Sequence, residues 1–466
     1  MHKVLVANRG EIAVRIIRAC HDLGLQTVAV YSQADAESLH VLYADEAICI
    51  GEAPSSKSYL RIPNILAACE ITGADAIHPG YGYLSENANF ASICESSGLN
   101  FIGPSSLTIA LLGDKVKAKS TAKHAKCPVI PGSNGVIRDI DEALNVAKTL
   151  GYPIFIKAVA GGGGKGIRVA YSEKEFVKHF AAARGEAEAS FGNPDIYLEK
   201  MIVGPRHIEV QVVGDKHGNY IHLGERDCTV QRRRQKLIEE APSPILSPKL
   251  RKQMGRAAVQ IVKAAKYHSV GTVEFLLDQD KNFYFMEVNT RIQVEHTITE
   301  ELTGIDLVVE QIRIAMGQEL SLKQKEVTFN GHVMQFRINA ENPMSNFAPS
   351  PGKIEYYLAP GGPNVRIDSA CYSGCTIPPY YDSMVAKLIV RGKTRTEAIA
   401  SAKRALREFM IGGIKTTIPF HKFMLDDEKF LSGKYDLTYI DKLVEEGKVI
   451  WKDDKDHTHQ ETGFAL

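Results

Sequence analysis

Residues 271–289 read as two strands joined by a polar turn, and this hairpin constrains the chain more than any other segment. Gly271-Thr-Val-Glu-Phe-Leu-Leu277 and Asn282-Phe-Tyr-Phe-Met-Glu-Val-Asn289 are rich in β-branched and aromatic residues, with Asp278-Gln-Asp-Lys281 between them. A turn centred near residue 280 sets Glu274 opposite Glu287 on one side of the pair. Directly opposed carboxylates repel, so a plain surface hairpin tends to avoid them. A divalent cation removes that cost, and Mg²⁺ favours one or two carboxylates together with nucleotide phosphates. Continuing the same parity gives Asn289, Arg291, Gln293 and Glu295 as one polar strip, with Val288, Ile292 and Val294 behind it. An exposed edge strand is the competing reading, and the apolar back argues against it. Arg291 offers a planar donor fork to a small oxyanion, and Glu295 is placed to take a proton from it.

The first 110 residues or so alternate short apolar strands with helical patterns: Lys3–Ala7, Thr27–Tyr31, Asp75–His78 and Asn100–Gly103 as strands. That alternation predicts a parallel, doubly wound sheet. A lysine-rich helix at 114–126, a βαβ-like unit from about 132 to 202, and predominantly β patterns beyond 204 follow. Long helices are expected at 248–267, 301–316 and 395–410. At 466 residues the chain needs several cores. Its 56 basic and 55 acidic residues nearly cancel, which gives no bulk attraction for nucleic acid or an anionic membrane. No apolar run approaches the roughly 18 residues of a membrane helix. Eight scattered cysteines, with only Cys371 and Cys375 close together, suggest free thiols in a reducing cytoplasm.

Gly161-Gly162-Gly163-Gly164-Lys165-Gly166 lies between two strand patterns. Four glycines in a row are costly in backbone entropy. They suit a loop whose amides close on phosphate oxygens, with Lys165 and the preceding Lys157 adding charge. The loop leads into a strand, so neither a dinucleotide turn nor a P-loop is indicated. Tyr197-Leu-Glu199-Lys200-Met-Ile202 looks like a connection against which an adenine can lie. His207, Glu209 and Gln211 share one face of a strand, as do Gln335 and Arg337. The run Gln231-Arg-Arg-Arg-Gln-Lys236 is expected to face an anion, with a solvated face as the alternative.

These pieces, in this order, resemble the ATP-grasp superfamily and, within it, the biotin carboxylase family. The carrying motifs are Ala7-Asn-Arg-Gly-Glu-Ile-Ala-Val-Arg-Ile-Ile17, His78-Pro-Gly-Tyr-Gly82, the glycine loop, Glu225-Arg-Asp-Cys-Thr-Val-Gln-Arg-Arg233, Glu239-Glu-Ala-Pro-Ser-Pro244 and Glu287-Val-Asn-Thr-Arg-Ile-Gln-Val-Glu-His296. The resemblance implies a mixed α/β and α+β architecture. A Rossmann-like domain would span 1–113, and an ATP-grasp domain 114–330 with a glycine-rich lid over about 132–202. A mainly β C-terminal domain would take 331–445, and 446–466 would be a polar tail.

The resemblance further implies ATP with Mg²⁺ or Mn²⁺, two ions, on Glu274, Glu287 and Asn289. Lys115, Lys157, Gly161, Gly162, Gly163, Gly164, Lys165 and Gly166 would hold phosphates. Glu199, Lys200, Ile202 and Leu276 would border adenine, and His207 and Gln231 the ribose. Bicarbonate would sit at Arg291, Gln293 and Val294 near Lys236, and Glu295 would deprotonate it for attack on the γ-phosphate, giving carboxyphosphate. Arg337 would steady the biotin enolate and Tyr81 would line the biotin pocket. The implied activity is carboxylation of biotin on a biotin carboxyl carrier protein, the first half-reaction of acetyl-CoA carboxylase. A two-component pyruvate or propionyl-CoA carboxylase is the alternative parent. The implied partners are the carrier, a carboxyltransferase and a second copy in a homodimer.

Overall fold

The structure is a computed structural model and describes residues 1–158, 167–191 and 193–447. The glycine loop Gly161–Gly166 and the tail beyond residue 447 therefore lie outside the described residues. Two compact units are formed: one from Met1–Lys126, Arg206–Glu274 and Glu287 onward, the other from Cys127–Pro205 and Phe275–Met286.

In the first unit, five parallel strands make one sheet in the order Glu46–Gly51, Gln26–Ser32, Lys3–Val6, Ala76–His78, Asn100–Phe101. The expected doubly wound pattern is thus present. The helix Gly10–Asp22 follows the central strand and is buried along most of its length. Ile12, Ala13, Ile16 and Ile17 pack with Val4 and Val6 and with Leu307, Val308 and Ile312. Burial of this helix on so many sides requires its polar residues to find partners, and Glu11 and Arg15 do so, with Lys387 and Glu300 respectively.

A second sheet of eight strands runs Phe283–Asn289, Ser269–Leu277, Arg206–Gly214, Tyr220–Arg232, Gln235–Ala241, His332–Asn339, Met384–Gly392, Val365–Ser369. Its core gathers Met334, Phe336, Ile338, Leu388 and Val390 against the helix Arg395–Glu408. That helix starts where Thr394 accepts a hydrogen bond from the Glu397 N–H. It stops at Glu408, short of the predicted 410, because Met410–Ile411 pairs as a strand with Tyr357–Leu358. The helix Pro248–Ala264 begins in the same way, with Ser247 capping the Leu250 N–H and Pro248 in the first turn.

The predicted helix 301–316 is two helices, His296–Thr303 and Leu307–Ala315. Gly304 takes a left-handed conformation at the break and Asp306 caps the second helix through the Val309 N–H. The basic run is also not one surface. Arg232 and Gln235 pair across a two-residue turn in which Arg233 and Arg234 both have positive φ and are exposed. Lys236, one residue beyond the pair, turns inward.

The second unit holds a three-stranded antiparallel sheet with Ile154–Ala158 at its centre, Ile167–Ala170 on one side and Ile196–Lys200 on the other. The helix Glu173–Phe191 connects the two outer strands, so the βαβ-like unit is split by a strand inserted between its halves. Among the described residues, no helix is long and apolar enough to cross a membrane.

Candidate functional site

The polar strip expected from strand parity comes together, but by another route. The strand ends at Asn289. The next amide, Thr290 N–H, is captured by the Glu86 carboxylate at 3.1 Å instead of a neighbouring strand. A turn follows in which the His296 N–H donates to the Gln293 carbonyl at 3.2 Å, and Glu295 becomes the residue that precedes the helix His296–Thr303. Arg291, Gln293 and Glu295 thus reach the site from a turn, and each finds its own partner.

Arg226 lies at the centre, with no exposed surface. Its guanidinium donates to Glu209 and Gln211 at 2.5 Å each, to Gln293 at 2.8 Å, to Thr299 at 2.9 Å and to Thr272 at 3.1 Å. All five donors of an arginine are available in a fixed fork, which is why one residue can tie so many elements. Glu209 and Gln211 alternate on one strand face with His207, as the sequence pattern requires.

Lys236 is the second cation. Its ammonium lies 2.5 Å from Glu295, 2.7 Å from Glu209 and 3.2 Å from Glu274. Arg337 completes the group, donating to Glu239 at 2.5 Å and to the other Glu295 oxygen at 2.9 Å. Gln335, on the same strand face, donates to Glu239 at 3.0 Å. Glu274 accepts from His207, Asn289 and Gln293, each at 2.9 Å. Arg291 donates to Glu86 and to the Asn289 side-chain carbonyl, both at 3.0 Å.

This charge pattern fixes protonation. Burial alone would raise the Glu295 carboxyl, but Lys236 and Arg337 outweigh it and hold it far below the usual carboxylate range. Glu274 is lowered likewise against its burial, by Lys236 and His207. Burial would lower Lys236, yet Glu209, Glu274 and Glu295 push its ammonium well above the usual value. His207 is raised against its burial by Glu274. Glu287 is the exception. Burial raises its carboxyl, and the Glu274 charge adds to that rise.

Glu287 makes no hydrogen bond or ion pair among the described residues, and Lys115 bears on it only through its charge. A half-buried carboxylate without a partner, beside a second carboxylate, is an oxygen donor set that fits Mg²⁺. Asn289 adds a side-chain carbonyl oxygen to that set. His207, Glu209 and Glu274 also bring ligand atoms within 4.8 Å of one another. In that group Glu209 is bound to Arg226 and Lys236, and Glu274 to Lys236 and His207; what favours the Glu274–Glu287 pair is Glu287, whose oxygens are bound to no described residue.

Gln231 donates to the Cys228 carbonyl at 2.9 Å and approaches His207 Nδ1 at 3.2 Å. Tyr81 donates its hydroxyl to Glu11 and lines a cavity of about 360 Å³ with Arg9, Tyr83, Tyr381 and Asp382. In the second unit, Lys157 pairs with Glu199, and Lys200 donates to the carbonyls of Gly151 at 2.7 Å and Tyr152 at 3.1 Å. Leu276 and Ile202 are half-buried there. Lys165 and the glycines around it are outside the described residues.

Sequence reasoning gave no role to Arg226, Glu239 or Glu86. Arg226 and Glu239 stand inside recognised motifs, and the signal was there: a charged residue flanked by strand residues on both sides is buried only if paired. Glu86 had no such signal, since its contact with Thr290 spans 204 positions.

Three family models match the chain. They describe the biotin carboxylase N-terminal domain over residues 1–109, the ATP-binding domain of the carbamoyl-phosphate synthase L chain over 114–323, and the biotin carboxylase C-terminal domain over 335–442. Biotin carboxylase 1 of Bacillus subtilis is 57% identical over 94% of this chain and 98% of its own length. The biotin carboxylase of a Nostoc species is 56% identical over 95% and 99%. A pyruvate carboxylase subunit from Methanothermobacter thermautotrophicus is 53% identical over 94% and 89%. Among solved structures, a biotin carboxylase–β-γ-ATP complex from Campylobacter jejuni superposes with a TM-score of 0.88 at 49% identity, covering 94% of this chain and 98% of that one. The biotin carboxylase domain dimer of Hydrogenobacter thermophilus 2-oxoglutarate carboxylase, in complex with MgADP, ADP and bicarbonate, gives 0.86 at 48% identity, covering 95% and 98%. With matching models along nearly its whole length and relatives this similar, the chain belongs to the biotin carboxylase family.

Proposed function

We propose that the chain uses ATP to join bicarbonate to biotin carried on a biotin carboxyl carrier protein, as the first half-reaction of acetyl-CoA carboxylase. The observation that carries this reading is the cluster of Glu295, Lys236 and Arg337 beside Arg291. Four charged groups of this kind, Glu295 buried and the three cations partly so, suit a small anion that must be bound, deprotonated and made to react. The Hydrogenobacter relative was solved with MgADP and bicarbonate, and the Campylobacter relative with β-γ-ATP, which supports the same ligands here. Glu274, Glu287 and Asn289 would hold the divalent ion, which would neutralise phosphate charge during transfer. The pyruvate carboxylase relative keeps a second parent complex in view; the chemistry at this site is the same for both.

In this reading Arg291 and Gln293, with the Val294 backbone, orient bicarbonate. Lys236 and Arg337 hold Glu295 as a carboxylate, and in that state it is a weak base. An anion arriving next to them shares their charge, so the proton affinity of Glu295 rises as its substrate binds. Glu295 then accepts the bicarbonate proton as the oxygen attacks the γ-phosphate. Carboxyphosphate formed in this way, with ADP leaving, breaks down to CO₂ and phosphate. That phosphate takes the N1 proton of biotin, and Arg337, no longer committed to Glu295 alone, steadies the resulting biotin enolate as it captures the CO₂. Tyr81 walls the acceptor pocket. His207, Gln231 and Lys115 serve the nucleotide. The carrier and a carboxyltransferase act as separate partners, and the chain pairs with a second copy, as in the Hydrogenobacter dimer. Eight cysteines without a disulfide suit the reducing cytoplasm.

The direct test is ATP cleavage with Mg²⁺ and bicarbonate, with and without free biotin. Stimulation by biotin is expected; folded protein whose turnover ignores biotin would sink the reading. Glu295→Gln should lower the biotin-dependent rate by roughly 10²–10⁴-fold, the usual worth of a general base. Full activity of that variant would remove Glu295 from the chemistry.

Glu287→Gln separates a metal ligand from a structural residue. The folded Glu287 carboxyl is raised by burial and by Glu274, so stability falls as pH climbs from the ordinary carboxylate value through the raised one, and the ionised form is the costly one. The variant should therefore melt at the same temperature as the parent, or higher, in chelator at pH 7, while losing turnover and the stabilisation by Mg²⁺ with nucleotide. A lower melting point in chelator would point to a structural role.

A further inference from the structure

One buried ammonium has no part in the chemistry described so far. Lys387 stands in the strand Met384–Gly392 directly opposite Arg337, and its side chain has no exposed surface. The ammonium lies 2.8 Å from one oxygen of Glu11 and 3.7 Å from Asp368, and it donates to the Val294 carbonyl at 3.2 Å. The other oxygen of Glu11 accepts the Tyr81 hydroxyl. Asp368 is held in turn by both arms of Arg366.

Taking a lysine out of water costs several kcal/mol even after relaxation. The neighbouring positions of the same strand are filled by Val385, Ala386, Leu388 and Ile389, all buried, so an aliphatic residue would serve if packing were the only need. What the lysine adds is a link. Val294 sits between Gln293 and Glu295 in the turn that carries the anion groups. Tyr81 walls the acceptor pocket, near enough to Arg337 to feel its charge. Glu11 belongs to the first turn of the helix Gly10–Asp22, and Lys387 to the eight-stranded sheet. We infer that Lys387 and Glu11 are positioning residues that tie the Gln293–Glu295 turn to Tyr81, so that the anion site and the acceptor pocket share one geometry. The inference rests on the proposed function and extends it, because it couples two subsites through a buried ion pair whose lysine lies behind both and whose Glu11 reaches the edge of the acceptor cavity.

The test uses the whole protein with MgATP, bicarbonate and free biotin. Three variants are compared: Tyr81→Phe, the double change Glu11→Gln with Lys387→Met, and all three together. The double change is chosen so that neither partner is left as a stranded buried charge. It should raise the KM for bicarbonate and the KM for biotin together, each roughly ten- to a hundredfold, with a smaller fall in kcat. Tyr81→Phe keeps the ring and removes only the bond to Glu11, and it too should raise the bicarbonate KM. Adding it to the double change should cost little more, since both act through one path. Unchanged KM values in a folded double variant, or fully additive losses, would overturn the inference. Should the double variant not fold, Tyr81→Phe decides alone, and an unaltered bicarbonate KM overturns the coupling. Parent protein without biotin-dependent turnover would instead remove the proposed function, and this inference with it.

Discussion

Charges removed from water must be matched to one another, and the pairing around Arg226 and Lys236 is the constraint on which the rest of this structure depends. Arg226 alone engages the strands Arg206–Gly214 and Ser269–Leu277, the turn at Gln293 and the helix His296–Thr303. Lys236 brings in a further strand, Gln235–Ala241. Losing one member of such a buried pair costs about 3–5 kcal/mol, because the other is left uncompensated. The elements therefore cannot shift independently without breaking several charge-assisted bonds at once.

The same pairing prepares the chemistry. A network that merely glued strands together would leave no charge short of a partner. Here Glu287 is short of one among the described residues, and Glu295 is held ionised by groups that an incoming anion can recruit. The first feature suits a cation and the second an anion, and Glu274 touches both through Lys236 and Asn289. Lys387 and Glu11 repeat the device away from the reacting groups, with a buried pair linking a helix to a sheet.

Much of this was legible in the sequence where the signal was local. Strand–helix alternation points to the parallel sheet, and apolar spacing places helices near 248–267 and 395–410, where Pro248–Ala264 and Arg395–Glu408 form. Asn289, Arg291, Gln293 and Glu295 do lie around Glu274 and Lys236, though not on the strand that parity predicts. Period-two spacing suggested a continuing strand, whereas the Glu86 carboxylate takes the Thr290 amide and ends it. A contact over 204 positions leaves no trace in a short stretch of sequence. The basic run divides for a related reason: composition counts charges, while a two-residue turn sends Arg233 and Arg234 outward and Lys236 inward. Arg226 and Lys387 show the same limit, since each is one cation in a buried strand whose partners come from elsewhere in the chain.

The central claim is that bicarbonate enters by taking Lys236 and Arg337 away from exclusive pairing with Glu295. A crystal structure with bicarbonate bound measures this directly. The account predicts an anion within hydrogen-bond distance of Arg291 and Lys236, with the Lys236–Glu295 separation longer than the present 2.5 Å. Bicarbonate bound elsewhere, with that ion pair unchanged, would contradict it.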